Sequence, residues 1–305
     1  MELEQLTEQA LADSIERYAT EAYQRISEEA HYDFELTPEV FNRYLDIHLS
    51  AVTPLIKVAI STVRSGTESQ ILHLGDVLVE LCKREGVTNN EESVLSRCMH
   101  SLAPVFLLNA LGVTCVKYQR FKELDSILGM SVPAGNFLHP EQEAFLLPML
   151  ERFNMILGND PVKWRYSTGR GGYYGVSRFL KKLLDPFLLG CFTDDLECES
   201  TFYIWEHLKS LTYVYCKCCD HASYVPLGNF LPKRTEYRNR SEEGERVPYI
   251  QFFEEADTLE DDWEPIKQGM FGGSYNEYKR VCAQAEEYYN RYGILAYEIA
   301  MRQDE

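Results

Sequence analysis

From Leu102 to Val116 the chain reads LAPVFLLNALGVTCV, with only Asn109 and Thr114 polar. A helix that is apolar nearly all round has to be buried on most of its sides. The run is shorter than the roughly 18 or more apolar residues that a membrane span needs, and no other stretch reaches that length. The segment therefore calls for several further helices packed around it. The chain can provide them: 305 residues with 45% hydrophobic content suffice for one large core or two smaller ones.

The flanking sequence repeats the helical pattern. Leu11, Ile15, Tyr18, Ala22 and Ile26 recur at steps of three and four, with glutamates on the opposite face. Thr37, Pro38 and Glu39 read as N-cap, first helical position and first turn of a second helix. Its stripe is Val40, Tyr44, Ile47, Ala51, Leu55 and Val58, with a kink or short break expected at Pro54. A third helix is expected over 68–85, with Ile71, Leu74, Leu78 and Leu81 inward and Gly86 as its stop. A fourth spans 91–118 and bends at Pro104. Shorter helices follow at 120–128 and 140–157. Two more, at 176–190 and 199–219, flank an acidic turn, and a tyrosine-rich helix covers 274–302 after the break at Phe271–Gly273.

Periodicity lapses in two places. The stretch 158–175, GNDPVKWRYSTGRGGYYG, reads as a connecting loop, and 220–262 reads as a long polar loop with a short apolar piece at 248–253. The expected fold is all-α, an irregular multi-helix array compatible with solenoid-like helix pairs. An N-terminal helical half, 1–157, is joined through the 158–175 loop to a C-terminal half, 176–305.

Charge narrows the range of partners. A net charge of −18 argues against a broad nucleic-acid surface, because such affinity comes from lysine and arginine neutralising phosphates. A basic protein partner suits it better. The acidic, amphipathic start has neither the basic residues nor the apolar run of a secretory signal, so a cytoplasmic location is expected. Nine cysteines, odd in number and mostly at apolar helical positions, read as reduced, buried thiols rather than a disulfide framework.

Motifs that would carry chemistry are incomplete. Cys216, Cys218, Cys219 and His221, with His207 upstream, lack the paired spacing of a zinc site, so no metal is expected. GRGGYYG at 169–175 has neither the lysine followed by serine or threonine nor the preceding strand of a phosphate cradle, so no cofactor is expected. Arg25 with His31, and Arg43 with His48, match the arginine–histidine spacing of helical HEPN-type ribonucleases. Glu277 and Lys279 have the carboxylate–lysine spacing of a restriction-type nuclease but no strand to carry it. The acidic run 254–264 lacks the ligand spacing and central glycine of a calcium loop and reads as a solvated loop. Lys233, Arg234, Arg238, Arg240 and Arg246 are interleaved with glutamates, which suits a docking loop better than a phosphate-binding patch.

The segments 101–128, 173–192, 202–215, YVPLGNFL at 224–231 and DDWEPIKQGMFGGSYNEYKRVCAQAEEYY at 261–289 together resemble the helical C-terminal region of many bacterial multidomain proteins. Such regions often follow a sirtuin-like, TIR-like or nucleoside-triphosphatase effector domain in genes suspected of anti-phage defence. Neither a glycine-rich NAD site of the sirtuin type nor a P-loop occurs in this chain. The resemblance therefore implies a sensing or scaffold half whose effector is a separate polypeptide. The expected function is a non-catalytic helical scaffold or sensor that acts through protein–protein contacts, with an effector subunit or with itself. A helical ribonuclease or toxin, and a small-molecule or nucleotide sensor using the 158–175 loop, are the alternatives. Trp164, Arg165, Arg170, Tyr173 and Tyr174 are the expected partner-binding residues, since aromatic residues and arginine are enriched where interfaces hold their binding energy.

Overall fold

The computed structural model describes residues 8–30, 37–85, 99, 101–133, 143–145, 173–216 and 230–290. The fold is all-α. The chain divides into two compact units, Met1–Tyr118 with Ser126–Ile156, and Gln119–Asp125 with Leu157–Glu305.

The first unit contains α1 (Glu8–Glu29), α2 (Pro38–Ser65), α3 (Glu68–Glu85) and α4 (Leu102–Lys117). Every residue of α4 from Leu102 to Val116 is buried, as its all-round apolar sequence demands. Its two polar side chains are satisfied within the helix: Asn109 Nδ2 donates to the Val105 carbonyl at 2.8 Å and Thr114 Oγ1 to the Ala110 carbonyl at 2.6 Å. Residues 86–98 and 100 lie outside the described residues, and within the helix that begins at Leu102, Pro104 costs no hydrogen bond. It is the third residue of the helix, in the first turn where a backbone N–H has no intrahelical partner, and the ladder starts with Val105 N bonding Ser101 O.

Helix α2 packs against both α1 and α4 and so buries a wider face than its sequence stripe. Phe41, Leu45, Val52, Ile56 and Val63 join Tyr44, Ala51, Leu55 and Val58 in the core, while Val40 and Ile47 are only half-buried. The helix runs unbroken through Pro54. By length and composition it could cross a bilayer, but 61% of its apolar window is buried inside the fold. Thr37 caps it as expected, its hydroxyl accepting from Val40 N at 3.3 Å. In α1, Ala19 takes the inward place expected of Tyr18, which is half-buried beneath the Arg17 guanidinium.

Helix α3 starts on a capping box, Thr67-Glu-Ser-Gln70, in which Gln70 Oε1 accepts from Thr67 N at 2.9 Å and Thr67 Oγ1 from Gln70 N at 3.4 Å. Gly75 permits its close approach to the chain at 127–130: a Cβ there would lie 2.7 Å from Met130 Cε and 2.9 Å from Ile127 Cγ1. Strands β1 (Ser131–Pro133) and β2 (Glu143–Phe145) then form a small antiparallel pair, with Val132 opposite Ala144. This corrects the helix expected over 140–157, whose other residues lie outside those described.

The second unit shares α5 (Phe121–Leu128) with the first and adds α6 (Tyr173–Leu188), α7 (Asp195–Tyr215), α8 (Phe230–Glu242), α9 (Pro248–Leu259) and α10 (Tyr275–Tyr288). Helix α7 starts earlier than its stripe predicts because Asp194 caps it, accepting from Glu197 N at 2.8 Å. Helices α8, α9 and α10 all pack on it, and it is buried from Ser200 to Val214. Much of the loop expected over 220–262 is thus helical. Pro248 at the first position of α9, and Gly244 (φ 91°) just beyond α8, are the start and stop signals that this reading passed over. The acidic run 254–264 likewise belongs to the end of α9 and the turns after it rather than to a loop.

The break at 271–273 is real. Phe271, Gly272 and Gly273 all adopt left-handed backbone, with φ of 55°, 67° and 68°. Such a conformation disfavours phenylalanine, and burial of its ring against Tyr215 and Tyr278 offsets the strain.

Gln268, in the turn before that break, reaches across 147 residues of sequence to the start of α5. Its Oε1 accepts from Phe121 N at 2.9 Å and Lys122 N at 3.1 Å, and its Nε2 donates to the Gln119 carbonyl at 2.9 Å. It acts as a remote N-cap for donors that have no partner within their own helix. Gln268→Ala is expected to destabilise the protein by about 1–3 kcal/mol in urea melts, and Gln268→Glu, which keeps the acceptor, to recover part of this. An unchanged midpoint for the alanine variant would show that water replaces the clip without loss.

Candidate functional site

The second unit holds a cleft of about 350 Å³ between α8 on one side and α9 and α10 on the other, with α7 at its base. Arg234, Arg238 and Glu242 stand at i, i+4 and i+8 of α8 and so share the face turned to the cleft. Helix α9 contributes Tyr249, Phe253, Glu254 and Asp257 by the same periodicity, and α10 contributes Lys279, Cys282 and Glu286.

The base is aromatic and uncharged. His207 is 8% exposed, its ring centroid 4.4 Å from that of Phe253 and nearly parallel to Tyr249. Its Nδ1 and the Tyr249 hydroxyl are hydrogen-bonded at 2.9 Å. Burial, assisted by the nearby positive charge of Arg234, pushes the imidazole down to about 3, so it is neutral at physiological pH. Burial likewise raises the Tyr249 phenol, and it raises the Cys282 thiol to about 11. At one end Asp257 accepts from the Tyr275 hydroxyl at 2.7 Å and from Lys279 Nζ at 3.0 Å, contacts that hold its carboxyl below the usual range.

Neither His207 nor Cys282 titrates in the range that proton transfer or nucleophilic attack needs at neutral pH. An imidazole that titrates near 3 is too weak a base at neutral pH, and a thiol near 11 is not a thiolate. By contrast, Arg234 and Arg238 are exposed and form no ion pair or hydrogen bond among the described residues. Arg240, from the same basic tract, turns away and pairs with Glu245.

The residues anticipated from the sequence fare differently. Trp164, Arg165 and Arg170 lie outside the described residues. Tyr173 and Tyr174 belong to the first turn of α6 and not to a loop, which corrects the boundary placed at 175. Arg43 is exposed on α2 while His48, five residues on, is wholly buried, so the two face different sides of one helix. His31 lies outside the described residues. Glu277 pairs with Arg280, and Lys279 with Asp257, so they form no joint site. Cys216 ends α7, whereas Cys218, Cys219 and His221 lie outside the described residues. Among the described residues no three histidine, cysteine or acidic side chains converge as metal ligands.

In the sequence Arg234 and Arg238 stand out only as members of a basic tract. Their i, i+4 spacing becomes informative once the tract is known to be helical. No protein-family profile, curated protein or solved structure matches the chain.

Proposed function

We propose that this chain is a non-catalytic helical scaffold or sensor of a bacterial anti-phage defence system, working through protein–protein contacts with a separate effector subunit or with a second copy of itself. The observation that supports a binding role is the state of the cleft: its histidine and cysteine are held neutral, while two arginines line it with no ion-pair partner among the described residues. The defence setting rests on the resemblance of the helical segments at 101–128, 173–192, 202–215, 224–231 and 261–289. The acidic surface favours a basic partner, and Trp164, Arg165, Arg170, Tyr173 and Tyr174 remain the proposed contact residues. A helical ribonuclease built on Arg43 and His48 is disfavoured, since its histidine would have to leave the core to meet RNA.

Affinity purification of the tagged chain from its native host tests the reading. An effector polypeptide is expected to co-purify in stoichiometric amount, and its recovery to fall in the folded variant with Arg165 and Arg170 changed to alanine. A chain that purifies alone as a monomer, or that cleaves RNA by itself, would overturn the proposal.

A further inference from the structure

The charges of the cleft are segregated. Once the Lys279–Asp257 pair is set aside, the arginines Arg234 and Arg238 on α8 and the carboxylates Glu254 on α9 and Glu286 on α10 have no ion-pair partner among the described residues. Glu242 adds a third at the far end of α8. Opposite charges thus line one space, the arginines on α8 and two of the carboxylates on α9 and α10, without an ion pair among the described residues. The Arg234 guanidinium, itself exposed, lines the cleft near enough to His207, Tyr249 and Cys282 to act electrostatically on all three.

A purely anionic ligand drawn to the arginines would meet three carboxylates, and a purely cationic one would meet two guanidinium groups. Either like-charge encounter is penalised in a confined site. A molecule carrying both signs a few ångströms apart satisfies both walls. The volume of about 350 Å³ is at the low end for ligand pockets, and half-buried Phe253 and Ile250 offer an apolar surface beside the charges.

We propose that this cleft binds a small zwitterion of the amino-acid or dipeptide class, its carboxylate held between Arg234 and Arg238, its ammonium facing Glu254 and Glu286, and its side chain against Phe253 and Ile250. Two guanidinium groups one helical turn apart give a carboxylate charge-assisted hydrogen bonds from both, a role lysine fills less well. The inference deepens the sensor reading and rests on it: the zwitterion is the small molecule sensed. The same chemistry occurs in a free amino acid and in a polypeptide end, and blocked derivatives separate them.

The test is calorimetric titration of the full chain with the twenty free amino acids and a set of dipeptides. N-acetylated and C-amidated forms of each binder, inorganic phosphate and butylamine complete the panel. Saturable one-to-one binding by one or more unblocked zwitterions is expected. Blocking either end should weaken it about tenfold or more, as should Arg234→Ala or Arg238→Ala. The near-isosteric pair Glu254→Gln and Glu286→Gln should weaken binding of the zwitterion while strengthening that of its N-acetylated, purely anionic form, and Arg240→Ala should leave affinity within about twofold. Circular dichroism and melting of each variant separate loss of the site from loss of the fold.

Binding that survives N-acetylation at full strength would identify a simple anion site. Binding that survives amidation would identify a cation site. Absence of binding by every zwitterion would remove the proposal. Each outcome is independent of co-purification: an effector retained by the Arg234→Ala, Arg238→Ala protein leaves the scaffold reading intact, whereas zwitterion binding without any effector leaves only the site.

Discussion

Replacing Leu107 with alanine lowers the unfolding free energy by roughly 2–5 kcal/mol. Leu107 is wholly buried at the middle of α4, a helix enclosed on every side, so no surface rearrangement can bring water to the vacancy. The loss combines the transfer free energy of the deleted atoms with the cost of the cavity they leave. For a unit of this size it corresponds to a fall in melting temperature of roughly 5–15 °C. Leu259→Ala makes the same chemical change at a residue 45% exposed and is expected to stay within about 0.5 kcal/mol of wild type. Equal effects in thermal and urea melts would show that α4 is not the core.

The second large effect depends on pH. His207 is pushed from 6.5 down to about 3 by burial, so the unfolded chain takes up a proton near pH 6.5 that the folded protein refuses until about pH 3. Its contribution is complete above pH 6.5 and is lost as pH falls through that window, by up to about 1.4 kcal/mol per pH unit and roughly 5 kcal/mol in all. Asp125 acts in the opposite sense. Burial lifts its carboxyl from 3.8 to about 6, so the folded protein retains a proton that the unfolded chain releases. That contribution is complete below pH 3.8 and is lost as pH rises to about 6, with a smaller magnitude because Asp125 is only half-buried.

Between pH 4 and 6 the two slopes oppose each other. Asp125→Asn is expected to steepen the loss of stability on acidification through this window. His207→Gln, which keeps a hydrogen-bonding group for Tyr249, is expected to flatten it. Urea melts at pH 4, 5, 6 and 7 measure both as differences from wild type. A difference that does not change with pH for the His207 variant would mean that its ring is solvated and titrates normally.

Helix type and much of the core were legible in advance because they depend on local periodicity. Ile15, Ala22, Leu55, Leu74 and the whole of α4 are buried where their spacing places them. Caps carried by the local chain, such as Thr37 with Pro38, were equally readable. Errors arose where a helix has no apolar stripe of its own. Helix α8, FLPKRTEYRNRSE, has a mostly polar sequence, and among its described side chains Tyr237 is the buried one, so periodicity gives no sign of it. In the 140–157 segment, Glu143–Phe145 pair with the residues that follow α5, a pairing set by a partner strand and not by helical spacing.

The amino-acid sequence alone determined that this protein would be built of helices around a segment that must be buried, because burial of apolar surface at a 3.6-residue period is a local property of the chain. Its acidic surface is equally a matter of composition. Only the tertiary structure decided that Gln268 caps a helix 147 residues away, that burial keeps His207 neutral at the base of a cleft, and that Arg234 and Arg238 line that cleft together with Glu254 and Glu286. These relations join side chains distant in sequence, and their strength depends on excluded water, which no stretch of sequence carries by itself.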